Sequence, residues 1–386
     1  MILSRIYKYF HACPAKLIAP AIACVLMVCD YFVANMSYPI FDSTESLGLL
    51  AYLRPDSEHG YGDLMAVDIS LDKTLVEVYD EYGDSAGRTP VTDRSTLLRF
   101  LRTIADANYR YIYVDIRFEE GLNTPADTAL FGLMAKMPRL VYSTHRDMDE
   151  STHPLAPVDK AGYADYRHVR LSGFTRYEFL QDGEPSVALR MYRDLDSADI
   201  KDHGIYYTDG GALCYNTQFV DIPRSVTDPY TADGEIRYPR LGSQLLAKYT
   251  PDELQTLVND KIVVIGDYVN DTHDCYIGSV PGPLLSYYGY LTLHEGRHRI
   301  NVAVMLLLFV VYTVITYFLL TDRNWPKVRR PMLAFILSLI GWGVLLNLLK
   351  VALFMWLSMS IGIFVPTLIF SAIPLVKQFN TAIHSK

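Results

Sequence analysis

The chain has 386 residues, a formal net charge of −8, a mean hydropathy of +0.11 and a hydrophobic share of 50%. That length allows two ordinary domains or one large one. The acidic balance, with no long basic run and no low-complexity tract, excludes nucleic acid as the expected partner. The apolar residues concentrate in two blocks, near residues 17–36 and from 300 onward, which excludes a uniformly water-facing chain.

Residues 1–16 carry Arg5, Lys8 and Lys16 and are expected in the cytoplasm. Leu17–Met36 is the first predicted span, since crossing about 30 Å of hydrocarbon takes roughly 20 mainly apolar residues. A cleaved signal peptide is the rival reading, supported by Ala19, Ala21 and Ala23. The stretch is long and no small-x-small cleavage site precedes Tyr38, so an uncleaved anchor is favoured. Asp30 falls toward the outer end of this span, where it either meets water or pairs with Lys350.

Residues 37–299 read as an extracytoplasmic α/β domain, mainly a parallel sheet covered by helices. Leu64–Ser70 and Thr74–Tyr79 read as strands. Thr92 and Asp93 offer cap oxygens to an amphipathic helix carrying Leu97, Leu98, Leu101 and Ile104. Tyr109–Ile116 is a strand, Thr124 and Pro125 open a second helix to about Lys136, and Arg139–Ser143 is the next strand. Farther on, Arg176–Leu180, Ile205–Thr208 and Asn216–Ile222 are strand-like and Ser186–Asp194 is helical. Thr250-Pro-Asp-Glu253 is a capping signature for a helix over Pro251–Val258, followed by the buried strand Lys261–Ile265.

The closing block holds three further predicted spans, 300–320, 332–349 and 351–376, with a hairpin near Asn347–Lys350. The loop 321–331 carries Arg323, Lys327, Arg329 and Arg330 against Asp322 and belongs inside, with Trp325 as an interfacial anchor. The tail 377–386 is then also cytoplasmic, so four transmembrane helices leave both termini inside. Ser358-x-x-x-Gly362 suits close helix contact, either within the bundle, in a homodimer or with another membrane chain.

Three predicted strands end in acids, at Asp68, Asp115 and Asp267, and open α/β sheets bind ligands beyond such ends. Together with Asp274 these are the candidate ligand-binding residues; the alternative role for each is capping the next turn. Asp267, Asp271, His273 and Asp274 are dense in oxygen ligands but match no calcium-loop spacing, so no metal is assigned. Cys214 and Cys275 lie outside, where they either pair as a disulfide or stand as separate thiols. The 29 tyrosines suit a core, an interface or an aromatic-lined pocket. No phosphate-binding loop, dinucleotide fingerprint or nucleophile elbow occurs, so neither catalysis nor a cofactor is expected.

The order of elements resembles the CHASE2 family of extracytoplasmic sensory domains. The resemblance is carried by Val67-Asp-Ile-Ser70, Thr92-Asp-Arg-Ser-Thr-Leu-Leu-Arg99, Tyr113-Val-Asp-Ile-Arg-Phe118, Asp127 with Leu130, Lys261-Ile-Val-Val-Ile-Gly266, Asp274 and Pro281-Gly282. The family often continues its Pro-Gly with a histidine, and Pro281-Gly-Pro-Leu-Leu-Ser286 stands here instead. The resemblance implies a sensory module in a bacterial cytoplasmic membrane that binds an extracytoplasmic ligand or protein. Family members typically carry a cytoplasmic output domain after the last span, and this sequence stops at Lys386. The expected relay is therefore to a separate partner chain, with a non-sensing scaffold of an envelope complex as the alternative and an extracytoplasmic enzyme third.

Overall fold

The computed structural model describes residues 15–35, 52, 61–80, 82–145, 152–166, 173–174, 176–321, 331–357 and 364–384. The cations Arg5, Lys8, Arg323, Lys327, Arg329 and Arg330, the anchor Trp325 and the Ser358–Gly362 motif lie outside these described residues.

The first helix, α1 (Ala15–Ala34), is followed in the chain by a domain built on one five-stranded sheet. Its strands are β1 (Leu64–Asp68), β2 (Tyr111–Val114), β3 (Leu140–Thr144), β4 (Ala161–Tyr163) and β5 (Ile262–Gly266). They lie in the order β1-β5-β2-β3-β4, and every neighbouring pair is parallel. The runs Tyr-Ile-Tyr-Val and Ile-Val-Val-Ile suit this arrangement because helices cover both faces and leave no polar side.

Alternation along each strand sorts the core into two layers. Ile112, Val114, Val263 and Ile265 pack toward α2 (Arg94–Ile104), α3 (Asp127–Lys136) and, later in the chain, the helix Pro251–Val258. Tyr111, Tyr113, Ile262 and Val264 pack on the other face, toward α4 (Val187–Asp196). The helix Pro251–Val258 is α5, and its predicted capping box is formed by Thr250 and Glu253. Helix α6 (Gly282–His294) completes the second layer, with every residue from Gly282 to Leu293 buried. Nothing in its sequence alternates, as is usual for a helix apolar on all sides, and the sequence reading did not find it.

Local chemistry explains where other expectations shift. Asp93 caps α2 by accepting from Ser95 N–H and Thr96 N–H. Helix α3 begins at Asp127 rather than at Pro125, because the Thr124 N–H and hydroxyl both turn to the Asp127 carboxylate, at 2.8 and 2.7 Å. Thr74–Tyr79 belongs to an antiparallel hairpin, Lys73–Tyr79 with Ser85–Thr92, outside the main sheet.

The chain closes with α7 (Val302–Thr321), α8 (Pro331–Leu357) and α9 (Phe364–His384). Helix α1 packs along α7, and α8 along α9. Among the described residues three helices are long and apolar enough to cross a membrane: Ala15–Ala34, Val302–Thr321 and Phe335–Leu353 within α8. The count of three corrects the expected four. Among the described residues the apolar part of the last helix is Phe364–Lys377, shorter than a full span.

The expected hairpin at Asn347–Lys350 is also corrected, since α8 runs unbroken through both residues. The Asn347 amide donates back to the Gly343 carbonyl one turn earlier at 2.9 Å, which satisfies it within the helix. Lys350 is 2% exposed, with its ammonium 5.3 Å from the centre of the Phe219 ring. At 1.5 Å per residue the 27-residue helix is about 40 Å long, more than a bilayer core, which lets this end reach the domain.

Candidate functional site

The carboxyl end of the sheet gathers the strand-end acids predicted from sequence, but each has its own work. Asp68 is 2% exposed. Its Oδ1 accepts from Ser70 N–H (2.9 Å) and Tyr268 N–H (3.2 Å), and its Oδ2 accepts from the Ser70 hydroxyl (2.8 Å). Asp267 accepts from the backbone N–H groups of Val269 and Asn270 and pairs with Lys73 at 3.4 Å. Burial opposes its ionisation, yet the Asn270 and Val269 hydrogen bonds and Lys73 together hold its carboxyl below the usual range. Asp274 is an exposed residue in the hairpin Thr272–Cys275 with Gly278–Pro281, and its carbonyl accepts from Phe174 N–H. Asp68 and Asp267 thus meet at one turn, whereas Asp115 faces a separate network.

In that network the Ser143 hydroxyl donates to Asp115 at 2.5 Å and lies 2.9 Å from the Tyr113 hydroxyl. Ser286, on α6, joins the Tyr113 and Tyr177 hydroxyls. Burial, and then the charge of Asp271, push the Asp115 carboxyl up to about 6, against the hydrogen bonds from Ser143 and Tyr113 and the His145 charge. A folded-state value above the unfolded one means the fold takes up a proton. The contribution of Asp115 to stability is therefore greatest below the ordinary carboxylate range and is lost as pH rises toward 6. Asp115→Asn is expected to remove that slope and to stabilise the neutral-pH protein by about 2–3 kcal/mol, read from denaturation curves across pH. An unchanged pH slope in the variant would refute this.

Beside β1 and β5 the same edge opens into a cavity of about 480 Å³. Tyr230, Tyr238 and Tyr268 line it together with Asp68, Arg240 and Gln244, and Thr272, Ser279 and Pro281 of the hairpin complete the lining. The volume is in the range of about 300–1,000 Å³ common for small-molecule sites. The sequence reading named Asp68 here but missed the rest. The segment Val226–Gln244 has no period that would reveal a wall, and its one signal was the tyrosine content. Among the described residues no three His, Cys, Asp or Glu side chains gather as a metal site.

The hairpin leads directly into α6, which starts where Gly282 N–H donates to the Asp271 carbonyl at 2.8 Å. A side chain at Gly282 would overlap the Asp271 carboxylate, so glycine allows the close joint. At the far end of α6 the chain passes through His298 and Arg299 into α7. Both donate to Asp209, at 2.8 Å each, and Tyr192 donates to the same oxygen at 2.9 Å. Burial pushes the His298 pKa down against the pull of Asp209. The backbone continues the joint, with Tyr215 N–H bonded to the His298 carbonyl and Ile300 N–H to the Leu213 carbonyl.

Helix α1 reaches the same strands. The Tyr31 hydroxyl donates to the Cys214 carbonyl (3.1 Å) and accepts from Tyr207 N–H (3.0 Å), and Asn35 accepts from Asn216 N–H (2.7 Å). Arg176 donates to the Ala34 carbonyl at 2.7 Å and lies over the Phe219 ring that also carries Lys350. Asp30 neither meets water, being 6% exposed, nor takes the alternative pairing with Lys350. Asp30 accepts instead from the Tyr312 hydroxyl of α7 at 2.6 Å, because α1 packs on α7 while Lys350 is drawn to Phe219. Cys214 and Cys275 are free thiols, on different hairpins, so the disulfide alternative is corrected as well.

Comparison with known proteins gives one finding: the family model described as CHASE2 domain matches residues 23–348. No curated protein and no solved structure matches the chain.

Proposed function

The chain belongs to the CHASE2 domain family, and from that premise we propose that it is a membrane sensory module whose cavity binds an extracytoplasmic ligand and whose α6–α7 connection relays the event. One observation carries this reading. A single buried helix, α6, runs from the cavity hairpin to the head of a membrane helix, and α1 is hydrogen-bonded to the strands beside that head. Such a rod cannot absorb a shift at one end by bending into solvent, because its whole surface is packed. The ligand must favour one bundle arrangement by a difference in free energy, and the change then passes to a separate partner chain in the membrane. In this reading the domain is extracytoplasmic and the N-terminal end of α1 is cytoplasmic, in a bacterial inner membrane.

Filling the cavity mimics occupancy. Ser279→Trp in the full chain, reconstituted in lipid discs, is expected to shift the distance between spin labels on Val25 of α1 and Leu306 of α7, both on exposed faces. An unaltered distance distribution with the domain still folded would end the relay reading.

A further inference from the structure

We propose that the cavity at the β1–β5 edge takes a small organic anion carried on an apolar ring, with Arg240 and Gln244 holding the acidic group. The proposal rests on the ligand-binding reading above and names its ligand class.

The hydrogen-bonding capacity around the cavity is unevenly spent. Tyr238 donates its hydroxyl to the Val226 carbonyl (2.5 Å) and Tyr268 to the Val264 carbonyl (3.1 Å). What these two residues leave is ring surface, stacked with centroids 4.5 Å apart and planes 22° apart. Val226, Pro229, Ile236, Val269 and Pro281 extend that apolar wall. Asp68 is the carboxylate of the lining, and three donors already satisfy it. A cationic ligand would therefore compete with three donors for Asp68 and would meet Arg240.

The donors, by contrast, are open. The Arg240 guanidinium has no hydrogen-bond or ion-pair partner among the described residues. Its backbone is anchored: Arg240 bridges to Asp68 at the end of β1, and Asp68 N–H bonds the adjacent Pro239 carbonyl at 2.9 Å. Arg240 N–H also donates to the Gln244 Oε1 at 2.7 Å, which leaves the Gln244 amide N–H groups as further donors. The π-helical turn Leu241–Leu246 brings that amide back over Arg240, and such turns recur at functional sites. A planar guanidinium beside an amide donor matches a carboxylate or phosphate, and stacked tyrosines match a ring.

The test uses the full chain in detergent and matched probes: 4-hydroxyphenylacetate against its neutral alcohol tyrosol, and phenyl phosphate against phenol. At least one acid is expected to bind saturably and at least tenfold tighter than its neutral partner. Arg240→Gln should remove that tenfold preference, about 1.4 kcal/mol, and Ser279→Trp should abolish binding. Ligand-free melting temperatures establish that both variants fold; Arg240 is exposed, so its replacement leaves the core intact. Equal affinity for acid and alcohol, no saturable binding by any probe, a preference that survives Arg240→Gln, or binding that survives Ser279→Trp each overturns the proposal. The relay is judged separately: an acid that binds without moving the Val25–Leu306 distance defeats the relay and leaves the ligand class standing. A Ser279→Trp shift without acid binding does the reverse.

Discussion

Arg94→Ala is expected to destabilise the central domain by about 3–5 kcal/mol, since it removes one partner of a buried ion pair and strands the other. Arg94 is 2% exposed and donates to Asp127 at 2.7 Å, beneath the rings of Phe118 and Phe131. His153 lies 3.3 Å from the same carboxylate oxygen. Burial works against the Asp127 charge, but the Arg94 and Thr124 hydrogen bonds and the Arg94 charge outweigh it and hold the carboxyl below its usual range. A depressed folded-state pKa contributes stability above the unfolded value and loses it as pH falls through the folded one. His153 adds to the same acid sensitivity: burial lowers its pKa, so below its ordinary value the unfolded chain takes up a proton that the fold resists. Denaturant titrations of the full chain at neutral and acid pH check both points. The variant should lose stability at neutral pH and show a smaller further loss on acidification. Arg94→Met with Asp127→Leu together should recover most of the loss, since no unpaired charge remains. A single-variant loss under about 1 kcal/mol would contradict the assignment.

Asp209→Ala is the second large effect, with an expected cost of about 2–4 kcal/mol. Asp209 is 1% exposed and draws Tyr192 of α4 together with His298 and Arg299 at the head of α7. Burial opposes its charge, but the Arg299, Tyr192 and His298 hydrogen bonds prevail and keep its carboxyl below the usual range, so this joint also weakens in acid. Without it, His298 is left buried with no acceptor at Nε2, and the link between α6 and α7 loosens. Amide exchange over Arg297–Asn301 is expected to speed up on the order of tenfold while the β5 amides stay protected. Exchange that rises equally throughout the domain would mean general unfolding and would remove Asp209 from the relay. Asp209→Asn, which keeps an acceptor without the charge, should fall between the two.

Four strands of the parallel sheet, all but the short β4 (Ala161–Tyr163), were legible because they are short apolar runs, each readable within a window of five or six residues. The same holds for α2 and α5, where Asp93, Thr250 and Glu253 announce the helix starts by local hydrogen bonds. The cavity was legible at one residue, Asp68, because strand-end acids have a positional signature. Tyr238, Tyr268, Arg240 and Gln244 have none: their relevance depends on which hydroxyls are consumed and which guanidinium is left over, and both depend on neighbours distant in the chain.

By itself, the sequence determined the first two membrane-length helices, the α/β order and the family, since these follow from composition and short-range periodicity. Tertiary contact decided the rest. Asn347 and Lys350 read as a break in isolation, yet Gly343 and Phe219 satisfy them inside one continuous helix. Asp30 had a plausible cation to pair with, but the packing of α1 on α7 supplied Tyr312 instead. Helix α6 is hidden from pattern because burial on every side erases periodicity, and only the sheet, α4 and the neighbouring hairpin determine where it lies.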